Sequence, residues 1–191
     1  MEETKPIKVK QPSIPAPGTH LAPNEGPQSS AIVLPFQLTA TDLGVAEVSL
    51  QVTLSSDAAL ANIISSFRHA TLIECEAVLF PNMTSASNPT HCDIVWVPAN
   101  STAAPKTILQ TYGGARFTLG GSITASQIIT VPLPMNSVNP IIKDSVLYLD
   151  SPRLLVHSPA PTSAKTVPSG SLVLRGKVRL SSPLLQPSQS S

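Results

Sequence analysis

The sequence predicts an all-β domain, an antiparallel sandwich of about eight strands with two short helices. Three observations carry that prediction. Several stretches alternate apolar and polar residues with period two, the pattern of a half-buried strand. Twenty prolines and nine glycines are spread through the 191 residues, which favours turns over long helices. Apolar residues make up 41 %, and the length suffices for one domain with a real core.

Residues 1–30 read as an N-terminal arm. They hold six prolines (Pro6, Pro12, Pro15, Pro17, Pro23, Pro27) and almost no large apolar residues. Such a segment buries too little surface to offset its ordering entropy, so it is expected to be extended and conditionally ordered. Its charges balance, Lys5, Lys8 and Lys10 against Glu2, Glu3 and Glu25. The folded domain is expected over 31–185, followed by a short tail of Gln, Pro and Ser at 186–191.

The first strand signal, 31–38, contains Pro35, which places it at an edge or a bend. In 45–54, Val48, Leu50, Val52 and Leu54 alternate with Glu47, Ser49, Gln51 and Thr53. Asp57 is suited to cap a short helix running to Phe67, with Leu60, Ile63, Ile64 and Phe67 at helical spacing. In 71–80, Leu72, Glu74, Glu76 and Val78 share one face; Ile73, Cys75, Ala77 and Leu79 share the other. That strand stops at Pro81, and the next, 92–97, closes at Pro98. Pro105 opens the second helix and Tyr112-Gly113-Gly114 ends it. Further strands are read at 115–119, 127–133, 146–148 with 154–157, and 172–180. Eight antiparallel strands in one domain fit a jelly-roll β-sandwich. The alternative is an immunoglobulin-like sandwich, but Trp96 follows both Cys75 and Cys92 instead of lying between them.

Composition narrows the function. Charged residues are 12 %, against a typical ~25 %. Either neighbours cover much of the surface or hydroxyl side chains solvate it. The formal charge of +1 gives no basic bias of the kind a conventional nucleic-acid-binding domain shows. Two cysteines make no disulfide framework and suit small buried apolar positions. No stretch reaches the ~18 apolar residues of a membrane span, so no membrane insertion is expected. The acidic, polar start is unlike a signal peptide, and the glycosylation patterns at Asn82 and Asn100 are read as chance matches.

Catalytic sets are missing from the sequence. No His-x-His with a downstream Glu supports a metal-binding cupin. There is no Gly-x-Ser-x-Gly, phosphate loop or Cys-x-x-Cys. In His91-Cys92-Asp93 the cysteine points away from both neighbours on a strand. The expectation is a protein that is not an enzyme and holds no metal or cofactor.

A set of short strings runs through the chain: Phe67-Arg68-His69-Ala70, Trp96-Val97-Pro98-Ala99-Asn100-Ser101, Tyr112-Gly113-Gly114 and Tyr148-Leu149-Asp150-Ser151-Pro152. Gly120-Gly121-Ser122-Ile123, Asn139-Pro140, Lys143-Asp144-Ser145 and Ser182-Pro183-Leu184-Leu185 accompany them. In this order, from about Ile32 to Leu185, they resemble the coat proteins of tymoviruses, icosahedral plant viruses with positive-strand RNA. The resemblance implies a jelly-roll subunit that self-assembles into a T=3 shell around genomic RNA, one chain occupying both pentameric and hexameric environments. It implies location in the virion, with assembly in the host cytoplasm, and polyamines as RNA counterions. Residues 1 to about 27 are then expected to be the segment that orders in one environment and not in another.

Candidate RNA contacts follow. Arg175, Lys177 and Arg179 alternate along the last strand and could meet phosphates, or could face solvent or neighbouring subunits. Arg68 and His69 sit just before a strand; the family's histidine in this string faces the RNA interior. Some members carry a second histidine where this chain has about Ser181. Glu74 and Glu76 point the same way and form a candidate pH-linked pair, or an ordinary solvated face. Subunit-contact candidates are Trp96, Pro98, Asn100, Tyr112, Gly113, Tyr148, Asp150 and Pro152. With a net charge of only +1, shell cohesion is expected to come mainly from protein–protein contacts. The rival reading is an oligomeric jelly-roll binding module, lectin-like or ligand-like.

Overall fold

The computed structural model describes residues 31–121, 127–144, 147–148 and 151–184. Both tails expected from sequence, 1–30 and 186–191, lie outside these residues. The strands are β1 (Ala31–Leu43), β2 (Val48–Thr53), β3 (Phe67–Pro81), β4 (Thr90–Val97), β5 (Ala115–Leu119), β6 (Ile129–Pro132), β7 (Ile141–Asp144), β8 (Leu147–Tyr148), β9 (Arg153–Ser158) and β10 (Gly170–Pro183). The one α-helix among the described residues is α1 (Ala58–Ser65), and a 3-10 segment covers Pro105–Gln110.

Two antiparallel sheets face each other. One runs β1-β10-β3-β7-β8, with β6 also paired to β3; the other runs β2-β9-β4-β5. β6 pairs with Leu79–Glu76 of β3 and β7 with Thr71 and Ala70, so the two occupy one strand position in succession. Residues 134–139 loop out between them. Counted by position, the two sheets hold the eight expected strands, and β8 is a two-residue addition at the edge. This is the double Greek-key order of a jelly roll.

Two sequence readings change here. The segment 127–133 was expected as one strand and is the first half of a broken one, its second half β7 being unforeseen. The segments 146–148 and 154–157 were joined as one strand position; β8 lies in one sheet and β9 in the other.

The core lies between the sheets. Leu43, Leu54, Ile64, Leu79, Ile94, Leu119, Ile142, Leu154, Leu172 and Leu174 are fully buried. In β2 the expected alternation holds, with Leu50 and Val52 turned in and Ser49 and Gln51 out. Pro35 sits on β1, an edge strand, where its missing N–H costs no ladder bond to a further strand. The Asp57 carboxylate accepts from the Leu60 N–H at 2.8 Å and caps α1 as expected. Phe67, however, begins β3 instead of ending the helix, and Ile63 is 42 % exposed.

Along β3 the phase of alternation breaks. The register with β10 shifts between Lys177↔Glu74 and Val178↔Leu72, leaving Ile73 as an extra residue. This bulge puts Leu72 on the buried face with Cys75, Ala77 and Leu79, and leaves Ile73 45 % exposed. Strict period two had placed Leu72 with the glutamates.

Cys75 and Cys92 are buried free thiols in the core. Burial pushes each thiol up to about 12, with Glu76 adding at Cys75 and Asp93 at Cys92. The thiolate is the reactive form. At neutral pH, iodoacetamide should therefore label neither cysteine in the native protein and both after denaturation. Rapid native labelling, read by mass spectrometry, would contradict this burial.

Candidate nucleic-acid interface and subunit contacts

The outer face of the six-stranded sheet carries four of the five candidate RNA contacts. On β10, Leu174, Val178 and Leu180 turn into the core, so Arg175, Lys177 and Arg179 turn out. The register sets Arg175 opposite Glu76 and Lys177 opposite Glu74 on β3. Arg175 Nε donates to Glu76 Oε1 at 2.5 Å, and Lys177 Nζ lies 2.8 Å from Glu74 Oε1. The two carboxylates, read as a pH-linked pair or an ordinary solvated face, thus each face a cation. Such half-exposed pairs add little stability, but they cancel charge locally.

Arg179, exposed between Val33 and Thr71, makes no ion pair among the described residues. His69 lies opposite Ser181 on β10. Its Nδ1 is 2.9 Å from Asp144 Oδ1, both groups being partly exposed. Arg68 is exposed at the start of β3. One end of this face therefore holds His69 and Arg179, with Arg68 exposed beside it at the start of β3, while the charge further along is neutralised in place.

The chain segment behind His69 is held by a residue that sequence reading did not single out. Lys143 on β7 is 3 % exposed. Its Nζ donates to the carbonyls of Ile64 at 3.2 Å and Ser65 at 3.1 Å, at the C-terminus of α1. The next carbonyl, Ser66 O, accepts from the Leu184 N–H at 2.8 Å. A cation there complements the negative end of the helix. Burial lowers the lysine pKa from its ordinary value. The signal in sequence was faint, one lysine flanked by apolar Ile142 and acidic Asp144.

A second unforeseen set lies on the outer face of the four-stranded sheet. Asp93, its side chain 7 % exposed, accepts from Arg116 Nε at 2.7 Å and Nη2 at 2.8 Å. His157 lies 4.0 Å from Asp93 and 3.5 Å from Glu47, and Glu47 is 3.3 Å from Lys106. Lys106, then His157, hold the Glu47 carboxyl below the usual range. Beside this chain of charges, Ile108 of the 3-10 segment packs on Val95, Val97 and Leu155.

The subunit-contact candidates divide. Trp96 is not at a surface: it is 8 % exposed, and its Nε1 donates to Val131 O at 3.1 Å across the sandwich. On β4 the inward positions are Cys92, Ile94 and Trp96, so its string could not present it outward. Pro98, Asn100 and Pro152 do come together, lining a notch of ≈ 190 Å³ with Ala99 and Asn139. Tyr112 is fully exposed, and Gly113 beside it has φ +89°. For Tyr148 only the backbone is described, paired with Lys143, and Asp150 lies outside the described residues.

Among its described residues the jelly roll holds no metal-binding cluster. A chain of the solved structure of tobacco necrosis virus shares this fold, with TM-score 0.59 at 13 % identity over 81 % of this chain and 97 % of that one. The family is shown by closer matches. The family model described as "Tymovirus coat protein" matches residues 12–190. The capsid protein of Ononis yellow mosaic virus is 66 % identical over 187 residues, 98 % of this chain and 97 % of that one. The structure of desmodium yellow mottle tymovirus aligns with TM-score 0.79 at 40 % identity, over 83 % of this chain and 91 % of that one. The chain belongs to the tymovirus coat protein family. It is a capsid protein that associates with itself in a virion, and not an enzyme.

Proposed function

We propose that this chain builds a T=3 icosahedral shell from pentamers and hexamers, encloses positive-strand genomic RNA and assembles in the host cytoplasm. The observation that carries the reading of its RNA contact is the pairing of Arg175 with Glu76 and Lys177 with Glu74. Arg175 and Lys177 are already matched and His69 stands 2.9 Å from Asp144, so RNA meets mainly Arg68 and Arg179 at one end of the sheet. A net charge of +1 per chain leaves most phosphate charge to other cations, polyamines among them. Shell cohesion then rests on contacts between subunits.

Expression of the chain alone, followed by sedimentation and negative-stain microscopy, tests the assembly. Uniform closed shells are expected without viral RNA; only small oligomers would mean that RNA or polyamine is required for assembly. The RNA reading has its own test in the salt dependence of oligoribonucleotide binding. Arg179→Ala should lower the slope of log K against log salt by about 0.7, the value for one phosphate contact to a single strand. Arg175→Ala should leave the slope nearly unchanged. Equal losses would mean that the ion pairs open to RNA.

A further inference from the structure

We propose that Tyr112 of one subunit seats in the notch formed by Pro98, Ala99, Asn100, Asn139 and Pro152 of a neighbouring copy. This rests on the coat-protein reading and names a contact within the shell.

The knob is built rather than loose. Ile108 anchors the 3-10 segment in its apolar cluster. Thr111 N–H donates to Ile108 O and Gly114 N–H to Thr111 O, both at 2.9 Å. A Cβ at Gly114 would stand 2.0 Å from Ile108 O, and Gly113 holds a left-handed φ of +89°. Both positions need glycine. The tight turn that results leaves Tyr112 wholly in solvent, with Leu109 51 % exposed nearby. An aromatic side chain held on a fixed backbone loses little freedom on binding, which favours its use as an anchor.

The notch matches the knob in size and chemistry. Its ≈ 190 Å³ corresponds to about six water volumes at ≈ 30 Å³ each, the scale of one aromatic side chain. Two prolines and an alanine supply apolar wall, and the amides of Asn100 and Asn139 supply partners for a phenol hydroxyl. Neither Tyr112 and Leu109 nor the five notch residues carry charge, so repeated contacts bring no like charges together. Tyr112 precedes β5, whose Ala115 pairs with Ile94, and the notch lies where β4 ends and β9 begins, so both stand at the same end of the four-stranded sheet. Knob and notch share no residue, so the contact joins two different surfaces and can be made head-to-tail. Such contacts close into rings when the rotation permits, which pentamers and hexamers require.

Two measurements on the full-length protein test this. The first compares nitration of Tyr112 by tetranitromethane in assembled shells and in dissociated subunits, read by peptide mass spectrometry. At least a tenfold slower reaction in the shell is expected; equal rates would overturn the proposal. The second places a benzophenone on Asn100→Cys, an exposed position, with Cys75 and Cys92 left unlabelled in the core. Illumination of shells should join it to the peptide carrying Tyr112 of another chain. Cross-links only elsewhere would show that the notch receives something else and overturn the pairing. Failure of the unmodified chain to form shells at all would instead overturn the proposed self-assembly on which the pairing rests.

Discussion

Trp96→Ala should lower the unfolding free energy of the subunit by about 3–5 kcal/mol, the range for removing a large aromatic from a packed core. Trp96 is 8 % exposed and spans the sandwich, packing in the core from β4 and donating from Nε1 to Val131 O on β6. Alanine removes the ring, leaves a cavity and removes the hydrogen bond to that carbonyl. Denaturant titration of the subunit is the direct measurement. Trp96→Phe keeps most of the apolar contact and loses the hydrogen bond, so it should cost less. If Trp96 acted at a subunit contact instead, Trp96→Ala would leave subunit stability unchanged and impair only assembly.

Lys143→Ala should cost about 3 kcal/mol, because it removes a buried aliphatic stem as well as two hydrogen bonds to the end of α1. Lys143→Met keeps the stem and should cost roughly half as much, the difference between the two separating packing from capping. The pH dependence has a definite sign. Burial lowers the lysine pKa in the folded state below the ordinary 10.5. Between the folded and ordinary values the unfolded chain binds more protons, so the stability contributed by Lys143 rises with pH across that window. The neutral amine still carries two N–H groups for two carbonyls. Wild type should therefore gain stability relative to Lys143→Met as pH climbs toward 10.5. A relative loss over that range would mean that the charge itself holds the helix end.

The elements that sequence reading placed well were those fixed by local chemistry. β2 shows its alternation directly, Asp57 marks the start of α1, and Pro35 marks β1 as an edge. What stayed hidden depends on partners far along the chain. Nothing local to β3 announces that Ile73 is a bulge, since the bulge exists only in register with β10. The same register converts Glu74 and Glu76 from a mutually repelling pair into two separate ion pairs. Trp96 was misplaced because a string that marks a family does not say which of its residues face inward. Pro98 and Asn100, two and four positions on, reach the surface where β4 ends, whereas Trp96 is still on the strand. Lys143 and Asp93 were given no role for the opposite reason: a charged residue beside an apolar stretch reads as solvated until its partners are known.

The position of β10 bears on how the chain is made. The last strand in sequence lies in the middle of its sheet, between β1 and β3. While the protein is being synthesised, β1 and β3 have no direct bond to each other and must wait for the strand that joins them. Closing such long-range pairs is slow, and the waiting strands expose unpaired edges. A polypeptide cut short before Gly170 lacks the centre of that sheet and cannot complete the domain. Translation of a full-length product thus becomes a checkpoint for entry into the particle, and prematurely terminated chains are left for chaperones and proteases.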